Sequence, residues 1–153
     1  MYFITGTAYA GKSTTVRMLA DRYNMILCPE NYHSALSDLA ASPEFQPDIS
    51  YLNSLTDWKD FVTRSPEEYE RWIYSTGREA AQFEIPILLS LPRDRKIIVD
   101  TNIPVGLLKE ISDYTRVAVM LSPQSMSVER FFDRSDPDKQ FILSVIDSCE
   151  DSQ

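Results

Sequence analysis

Four short apolar segments recur along the chain, and stretches of mixed polar and apolar residues separate them. The apolar segments cover residues 2–5, 25–28, 97–100 and 117–121. Each has the length of a β-strand, and continuous apolar runs of this kind are typical of strands buried in a parallel sheet. Helical segments between successive strands are typical of parallel βαβ units. The pattern therefore predicts an α/β domain built on a parallel sheet of four buried strands.

Two helices are predicted with clear boundaries. The first covers about residues 12–23, and Asn24 ends it because asparagine tolerates a left-handed conformation at a helix C-terminus. The second is long and starts after Ser65, with Pro66 in its first turn and Glu68 placed to complete a capping box. Its apolar residues recur at spacings of three and four, which predicts a buried stripe. The stripe consists of Tyr69, Trp72, Ile73, Thr76, Ala80, Phe83 and Ile87.

The remaining segments give weaker signals. Short helices are predicted at residues 31–41 and 104–112, and two more helices are predicted to meet at residues 135–137. Residues 42–57 contain two prolines and have no clear period, which predicts a loop or a short irregular helix. Neither an internal repeat nor a low-complexity linker is present, so residues 1–153 are predicted to form one domain.

The loop between the first strand and the first helix carries the strongest chemical signal. Residues 6–13 satisfy G-x-x-x-x-G-K-[ST] at every fixed position, in the strand–loop–helix context that a phosphate-binding loop requires. Gly6 and Gly11 let the turn close so that backbone N–H groups form an anion-binding nest. The dipole of the following helix adds to this positive field. The predicted nucleotide-binding residues are Gly6, Thr7, Ala8, Tyr9, Ala10, Gly11, Lys12, Ser13 and Thr14.

Three side chains are predicted to handle phosphate and metal. Lys12 would reach the β- and γ-phosphates of the nucleotide, and the hydroxyl of Ser13 would be a direct ligand of Mg²⁺. Asp100 ends the third apolar strand, where it would hold a water molecule on the same Mg²⁺ or accept a substrate hydroxyl. The alternative for Asp100 is a structural role as the cap of the next helix.

Further candidates lie beyond the ends of the second and fourth strands. Glu30 follows the second strand at the edge of the sheet where ligands bind in open α/β proteins. Arg130 and Arg134 are four residues apart, on one face of a predicted helix, where two guanidinium groups could clamp transferring phosphates. Alternatively, these arginines pair with Glu129 and Asp133 on a solvated surface.

The charge balance argues against nucleic acid as a partner. The net charge is −8 and the basic residues are scattered, whereas binding to a nucleic-acid backbone needs a clustered basic face. No apolar stretch reaches 18 residues and no signal peptide is evident, so neither membrane insertion nor secretion is expected. Cys28 and Cys149 lack metal-binding spacing, and His33, the only histidine, cannot form a metal site alone. We therefore expect reduced thiols in a cytoplasmic protein.

Together, the glycine-rich loop, the acid after the second strand, the strand ending in Asp100 and the arginine-bearing segment resemble the small P-loop kinases. This family includes nucleoside, nucleotide, shikimate and gluconate kinases and related phosphotransferases that act on antibiotics. The resemblance implies a P-loop NTPase fold with three α/β/α layers and a parallel sheet of order 2-3-1-4-5. No fifth strand is evident after residue 136, so either the chain is truncated or the sheet has the order 2-3-1-4.

The resemblance also implies roles for individual residues. Glu30 matches the acid that accepts the proton of the substrate hydroxyl, and Asp100 matches the second carboxylate. Arg130 and Arg134 look like the arginines of a lid, here residues 124–136, and Arg78 is a weaker match to an acceptor-binding arginine. The expected cofactors are ATP and Mg²⁺. Whether Glu30 or Asp100 acts as the base stays open.

The predicted activity is transfer of the γ-phosphoryl group of ATP to a small-molecule acceptor, with a nucleoside or nucleotide as the first candidate. Aromatic residues between the second strand and the long helix could stack on a base, although core packing explains them equally well. The alternatives are a non-catalytic ATP-binding or sensor module, and a kinase of another metabolite or an antibiotic. A GTPase is excluded because the D-x-x-G and N-K-x-D elements are missing. A monomer and a homodimer are both compatible with the sequence.

Overall fold

Four strands form a parallel sheet in the computed structural model, which describes residues 1–130 and 137–149, with the side chains of residues 127 and 128 excepted. The strands are β1 (Tyr2–Gly6), β2 (Ile26–Cys28), β3 (Ile97–Asp100) and β4 (Val117–Met120). Their order across the sheet is β2-β3-β1-β4, and every neighbouring pair is parallel. The predicted α/β class and the predicted strand order are therefore confirmed.

Eight α-helices surround the sheet within the described residues. They are α1 (Lys12–Tyr23), α2 (Ser34–Ala40), α3 (Pro47–Ser54), α4 (Lys59–Val62), α5 (Pro66–Ser90), α6 (Val105–Ile111), α7 (Gln124–Arg130) and α8 (Pro137–Asp147). A 3₁₀ turn, Tyr114–Arg116, precedes β4. In the part of the chain that the structure describes, no helix is long and apolar enough to cross a membrane.

The predicted ends of the two main helices are confirmed. Asn24 ends α1 in the left-handed region, with φ 49° and ψ 48°. At the start of α5, the backbone N–H of Glu68 donates to the Ser65 hydroxyl at 3.2 Å, and the backbone N–H of Ser65 donates to the Glu68 carboxylate at 3.0 Å. This reciprocal pair satisfies two N–H groups that the helix itself leaves without a partner.

Alternate residues of the strands pack into two apolar clusters on opposite faces of the sheet. Phe3 and Val99 face the cluster that contains residues of α5 and α6, whereas Ile4 and Ile98 face residues of α1. Full burial of each such side chain stabilises the fold by about 1.5–3 kcal/mol. The helices are thereby fixed on both faces, and the loops that follow β1, β2 and β3 are gathered at one edge of the sheet.

The predicted stripe of α5 is buried only in its second half. Ala80 and Phe83 are buried, but Ile73 is 46% exposed and Tyr69 is also exposed. Beyond the sheet, the first half of α5 contacts the short helix α4, through Phe61, which packs edge-on against Tyr69 at 5.9 Å between ring centroids. Phe61 also packs against Trp72, but several apolar residues in this half of the helix stay in contact with solvent.

Strand β4 is more exposed than its apolar sequence predicts. Val119 is 54% exposed, and β4 pairs with β1 on one side only, at an edge of the sheet. Helix α8 does not cover this strand. It packs instead on the region of α4, where Phe141 meets Trp58 edge-on at 5.3 Å between ring centroids and Lys59 Nζ donates to the Ser148 carbonyl at 3.0 Å. The prediction that all four strands are buried is wrong for β4.

Cys28 lies at the end of β2 in the buried cluster, and this position predicts its reactivity. Burial, with a contribution from the negative charge of Glu84, raises the pKa of its thiol from 9.0 to about 11. A rise of about two units in the pKa of Cys28 lowers its thiolate fraction at pH 8 about a hundredfold. We therefore expect iodoacetamide to modify Cys149 in the folded protein and to leave Cys28 intact. Peptide mass spectrometry after alkylation measures this.

Unfolding in urea is the control, because both thiols should then react alike.

The same pKa shift links Cys28 to stability. The stability that the protonated Cys28 contributes is present below about pH 9 and is lost as the pH rises through about 11. Equal modification of Cys28 and Cys149 in the native protein at pH 8 would contradict the expected burial.

Candidate functional site

The loop of residues 6–13 joins the carboxyl end of β1 to the first turn of α1, as the motif predicts. Gly6 has φ 132°, and a Cβ atom at this position would lie 1.8 Å from the carbonyl oxygen of Met120. Glycine is therefore required at the first fixed position of the motif, both for its backbone conformation and for the close approach of β4. Tyr9 also has a positive φ, 63°, which is uncommon for a bulky residue.

The chain after β4 holds this loop through hydrogen bonds. The backbone N–H of Ser122 donates to Thr7 Oγ1 at 2.8 Å, and the Ser122 hydroxyl donates to the Ala8 carbonyl at 2.6 Å. The Tyr9 hydroxyl donates to the carbonyl of Arg130 at 2.7 Å. Sequence analysis missed Ser122, although a polar residue directly after a predicted parallel strand was an available signal.

Lys12 is buried in the first turn of α1, with its ammonium group folded back over the loop. Its Nζ donates to the carbonyl of Thr7 at 3.2 Å. No carboxylate pairs with Lys12 among the described residues. A lysine whose ammonium donates to a neutral carbonyl and forms no ion pair is well placed to bind an anion at the loop.

Ser13 and Asp100 meet although 87 residues separate them in the chain. The Ser13 hydroxyl donates to Asp100 Oδ2 at 2.7 Å. Asp100 is 1% exposed, and its Oδ1 atom is buried without a hydrogen-bond partner in the described structure. Burial raises the pKa of Asp100, and the hydrogen bond from Ser13 opposes this rise. Helix α6 is capped by Pro104, so the alternative role of Asp100 as a helix cap does not apply.

Glu30 lies at the neighbouring strand end. Asn102 Nδ2 donates to Glu30 Oε1 at 3.4 Å, which joins the segment after β2 to the segment after β3. Beside the larger effect of burial, the charge of Glu30 also raises the pKa of Asp100, whereas that of Lys12 lowers it. Sequence analysis did not single out Asn102, which lies only two residues beyond β3.

Of the predicted arginines, the two that the structure describes have no side-chain contact with these residues. Arg78 is exposed on α5, and neither a hydrogen bond nor an ion pair involves it within the described chain. Arg130 ends α7, and its contact with the loop is made by the backbone carbonyl. Arg134 and the rest of the predicted lid, residues 131–136, lie outside the described residues.

A cavity of about 690 Å³ lies at the opposite end of the sheet and is separate from this site. Its floor includes Phe3 and Ile97, and its walls include Arg93 and Arg116. These arginines are exposed, and Arg116 pairs with Asp113 at 3.3 Å. None of the motif residues lines this cavity, so it has no part in the chemistry of the loop.

The residues at the carboxyl edge of the sheet suit a polyanion with a hard divalent cation. Lys12 and the loop offer positive charge, and the hydroxyl of Ser13 and the carboxylate of Asp100 are the oxygen ligands that Mg²⁺ prefers. The unpartnered Oδ1 atom of Asp100 fits this use, because a buried carboxylate oxygen needs a donor or a cation. Glu30 and Asn102 form the polar wall beside it.

Comparisons of the chain with protein-family models, with curated proteins and with solved structures gave no match. No relative therefore assigns a role to any residue of the site. What the site can do rests on the contacts and charges of Lys12, Ser13, Asp100 and Glu30.

Proposed function

We propose that this chain has a P-loop NTPase fold and is a small-molecule kinase that uses ATP and Mg²⁺. The acceptor is a small hydroxyl- or phosphate-bearing molecule, with a nucleoside or nucleotide as the first candidate. The observation that carries the proposal is the 2.7 Å contact between Ser13 and Asp100. It brings the hydroxyl of the motif and the aspartate of β3, which are expected to serve one metal ion, to the same point.

The topology supports the proposed fold. The glycine-rich loop follows β1, which is central in the sheet, and the strand with the aspartate lies directly beside it. The order β2-β3-β1-β4 is the one that the resemblance to small P-loop kinases implies for the first four strands.

In the proposed reaction, positioning and charge neutralisation do most of the catalytic work. Lys12 would exchange the Thr7 carbonyl for oxygens of the β- and γ-phosphates. Mg²⁺, when bound, supplies charge neutralisation at the same phosphates. Ser13 would coordinate the ion directly and Asp100 through water, while Glu30, oriented by Asn102, would accept the proton of the acceptor hydroxyl.

One observation favours a second candidate, a non-catalytic ATP-binding module. The residues expected to bind nucleotide are assembled, whereas neither Arg78 nor the side chain of Arg130 has a described contact with the loop. Such a module would bind ATP without forming a phosphorylated product. Both candidates are thus expected to bind ATP, but only the kinase forms a phosphorylated product.

The test of nucleotide binding is the substitution Lys12→Ala. Charge-assisted contacts to phosphate contribute about 1.5–3 kcal/mol, so we expect ATP to bind about ten- to a hundredfold more weakly in the presence of Mg²⁺. Isothermal titration calorimetry measures the dissociation constants. Lys109→Ala, which removes the same charge from an exposed position on α6, is the matched control and should bind ATP like the wild type. Wild-type affinity in Lys12→Ala would refute the proposed site.

Product formation separates the kinase from the binding module. ADP release is measured with nucleosides, nucleoside monophosphates, shikimate, gluconate and aminoglycosides as acceptors. We expect one class to stimulate release, with loss of the stimulation in Lys12→Ala. Glu30→Gln should then lower turnover by about 10²–10⁴-fold if Glu30 is the base. ATP binding with no stimulated release by any acceptor would favour the binding module.

A further inference from the structure

Glu84 is a buried carboxylate in the middle of α5, and it contacts the segments that follow β2 and β3. It is 2% exposed. Thr101 Oγ1 donates a hydrogen bond to Glu84 Oε2 at 2.8 Å. On the other side, His33 Nδ1 lies 3.2 Å from Glu84 Oε1, an ion-pair distance at an angle outside hydrogen-bond geometry. The hydroxyl of Tyr32 donates to the Glu84 backbone carbonyl at 3.4 Å.

These partners lie close in the sequence to Asp100 and Glu30, the two acidic residues of the site. Thr101 directly follows Asp100, and its hydroxyl oxygen also accepts the backbone N–H of Ile103 at 3.0 Å, which fixes the turn after β3. Tyr32 and His33 come two and three residues after Glu30. The charge of Glu84 also contributes to the raised pKa of Asp100. One residue of the helix layer therefore contacts the segments that follow both acids.

The burial of Glu84 is costly for the fold. No lysine or arginine pairs with it among the described residues, and an apolar side chain of similar volume usually serves a core position as well or better. The same helix offers a comparison in Glu79, which is also buried. Glu79 accepts the backbone N–H groups of Asp48 and Ile49 at 3.1 and 2.8 Å, and so caps α3. The carboxylate of Glu84 accepts no backbone N–H group of a helix, and its partners Thr101 and His33 belong instead to the segments that follow Asp100 and Glu30.

We propose that Glu84 is the positioning residue of this site, because one carboxylate oxygen accepts the hydroxyl of Thr101 and the other lies against His33, so that Glu84 orients the strand ends that carry Asp100 and Glu30. The inference rests on the proposed function, since the orientation of Asp100 matters only if the carboxylate serves a metal ion. Glu84 itself contacts neither nucleotide nor acceptor. Its effect on Asp100 should therefore appear in the part of ATP affinity that depends on Mg²⁺.

Two substitutions interrupt the contact from its two sides. Glu84→Gln keeps the shape of the side chain but replaces one acceptor oxygen by an NH₂ donor and removes the charge. Thr101→Val keeps the shape of the threonine and removes the hydroxyl, which donates to Glu84 and accepts the backbone N–H of Ile103. Thr101→Ser keeps that hydroxyl and should rescue the effect. Glu79→Gln is the matched control, because it neutralises a buried glutamate of the same helix that has no contact with the site.

The measured quantity is the ratio of ATP dissociation constants in EDTA and in Mg²⁺, from calorimetry on each full-length variant. Glu84→Gln alters the carboxylate that accepts from Thr101 and should lower this ratio about five- to tenfold, and Thr101→Val, which also loses the hydrogen bond from Ile103, should lower it at least as much. The affinity for ATP in EDTA should stay within about twofold of the wild type. Thr101→Ser and Glu79→Gln should keep the wild-type ratio.

A wild-type ratio in Thr101→Val overturns the inference, and so does an equal loss in Glu79→Gln, which would indicate a general effect of destabilising α5. If Glu84→Gln does not fold, a wild-type ratio in Thr101→Val still overturns the inference, because that variant lacks the hydroxyl that donates to Glu84. Failure of the proposed function looks different: wild-type protein would not bind ATP, or Lys12→Ala would bind it unchanged. That outcome overturns both proposals, whereas intact ATP binding with an unaltered ratio overturns only the role of Glu84.

Discussion

Gly6→Ala is expected to lower the free energy of unfolding by about 3 kcal/mol or more and to abolish ATP binding. Alanine at φ 132° is strained, and its Cβ atom would lie 1.8 Å from the Met120 carbonyl oxygen and 2.7 Å from the Met120 carbonyl carbon. Both contacts are with backbone, so no side-chain rotation can relieve them. Strands β1 and β4 would have to separate where Thr7 N–H donates to the same carbonyl at 3.0 Å.

Urea unfolding followed by tryptophan fluorescence measures the stability, with Trp58 and Trp72 as the two probes. Gly106→Ala is the matched control, because a Cβ atom at position 106 in α6 meets no atom within 4 Å. Replacing glycine in a helix restricts the unfolded chain, so this control should gain about 0.5 kcal/mol. A loss below about 1 kcal/mol in Gly6→Ala would show that β4 can move aside at little cost.

Asp100→Asn should raise the stability of the protein and reduce the gain in ATP affinity that Mg²⁺ causes. Burial raises the pKa of Asp100, so ionisation of this carboxyl group is less favourable in the folded protein than in the unfolded chain. Asparagine can still accept the hydrogen bond from Ser13. We therefore expect the nucleotide-free variant to be more stable than the wild type at about pH 8. At the same time, most of the gain in ATP affinity from Mg²⁺, about ten- to a hundredfold, should be lost.

The pH dependence of the stability gained in Asp100→Asn follows from the raised pKa of Asp100. A carboxyl group whose pKa is raised on folding contributes stability at low pH, and this contribution is lost as the pH rises through the folded-state pKa. The advantage of Asp100→Asn should thus be small near about pH 4 and grow towards about pH 8. Urea unfolding at both pH values measures the advantage, and calorimetry with Mg²⁺ and with EDTA measures the response to the metal.

Asp113→Asn provides a control of opposite sign. The hydrogen bond from the Thr115 side chain lowers the pKa of the exposed Asp113, so removing this carboxylate should decrease stability at about pH 8. Its Mg²⁺ response should equal that of the wild type. Retention of the full Mg²⁺ response by Asp100→Asn would mean that the buried carboxylate does not serve the ion.

The parts of the fold that depend on local sequence were predictable. Asn24 at the end of α1 and the Ser65–Glu68 capping box at the start of α5 are short-range hydrogen-bonding patterns, and both occur as expected. The apolar strands, and the acids at the ends of β2 and β3, follow from runs of a few residues. The strand order came from the resemblance of the motifs to a family and could not have come from periodicity.

The parts that depend on distant contacts were not predictable. The apolar sequence of β4 looks like that of a buried strand, but exposure depends on which elements cover it. Glu84 interrupts an apolar helix face, and only the fold shows that Thr101 and His33 meet its carboxylate. Asn102 and Ser122 act through hydrogen bonds to segments more than 70 residues away.

The conformation of Tyr9 makes the loop unequally tolerant of sequence change. A left-handed backbone costs a residue other than glycine about 1–2 kcal/mol, whereas the hydrogen bond of the Tyr9 hydroxyl to Arg130 stabilises the loop by about 1 kcal/mol. Exchange of Tyr9 for glycine would relieve the strain but remove this hydrogen bond and a further interaction of the tyrosine. Most other residues at position 9 would keep the strained backbone and lose the bond. Position 6 thus admits no side chain at all, whereas position 9 suits a side chain that reaches Arg130.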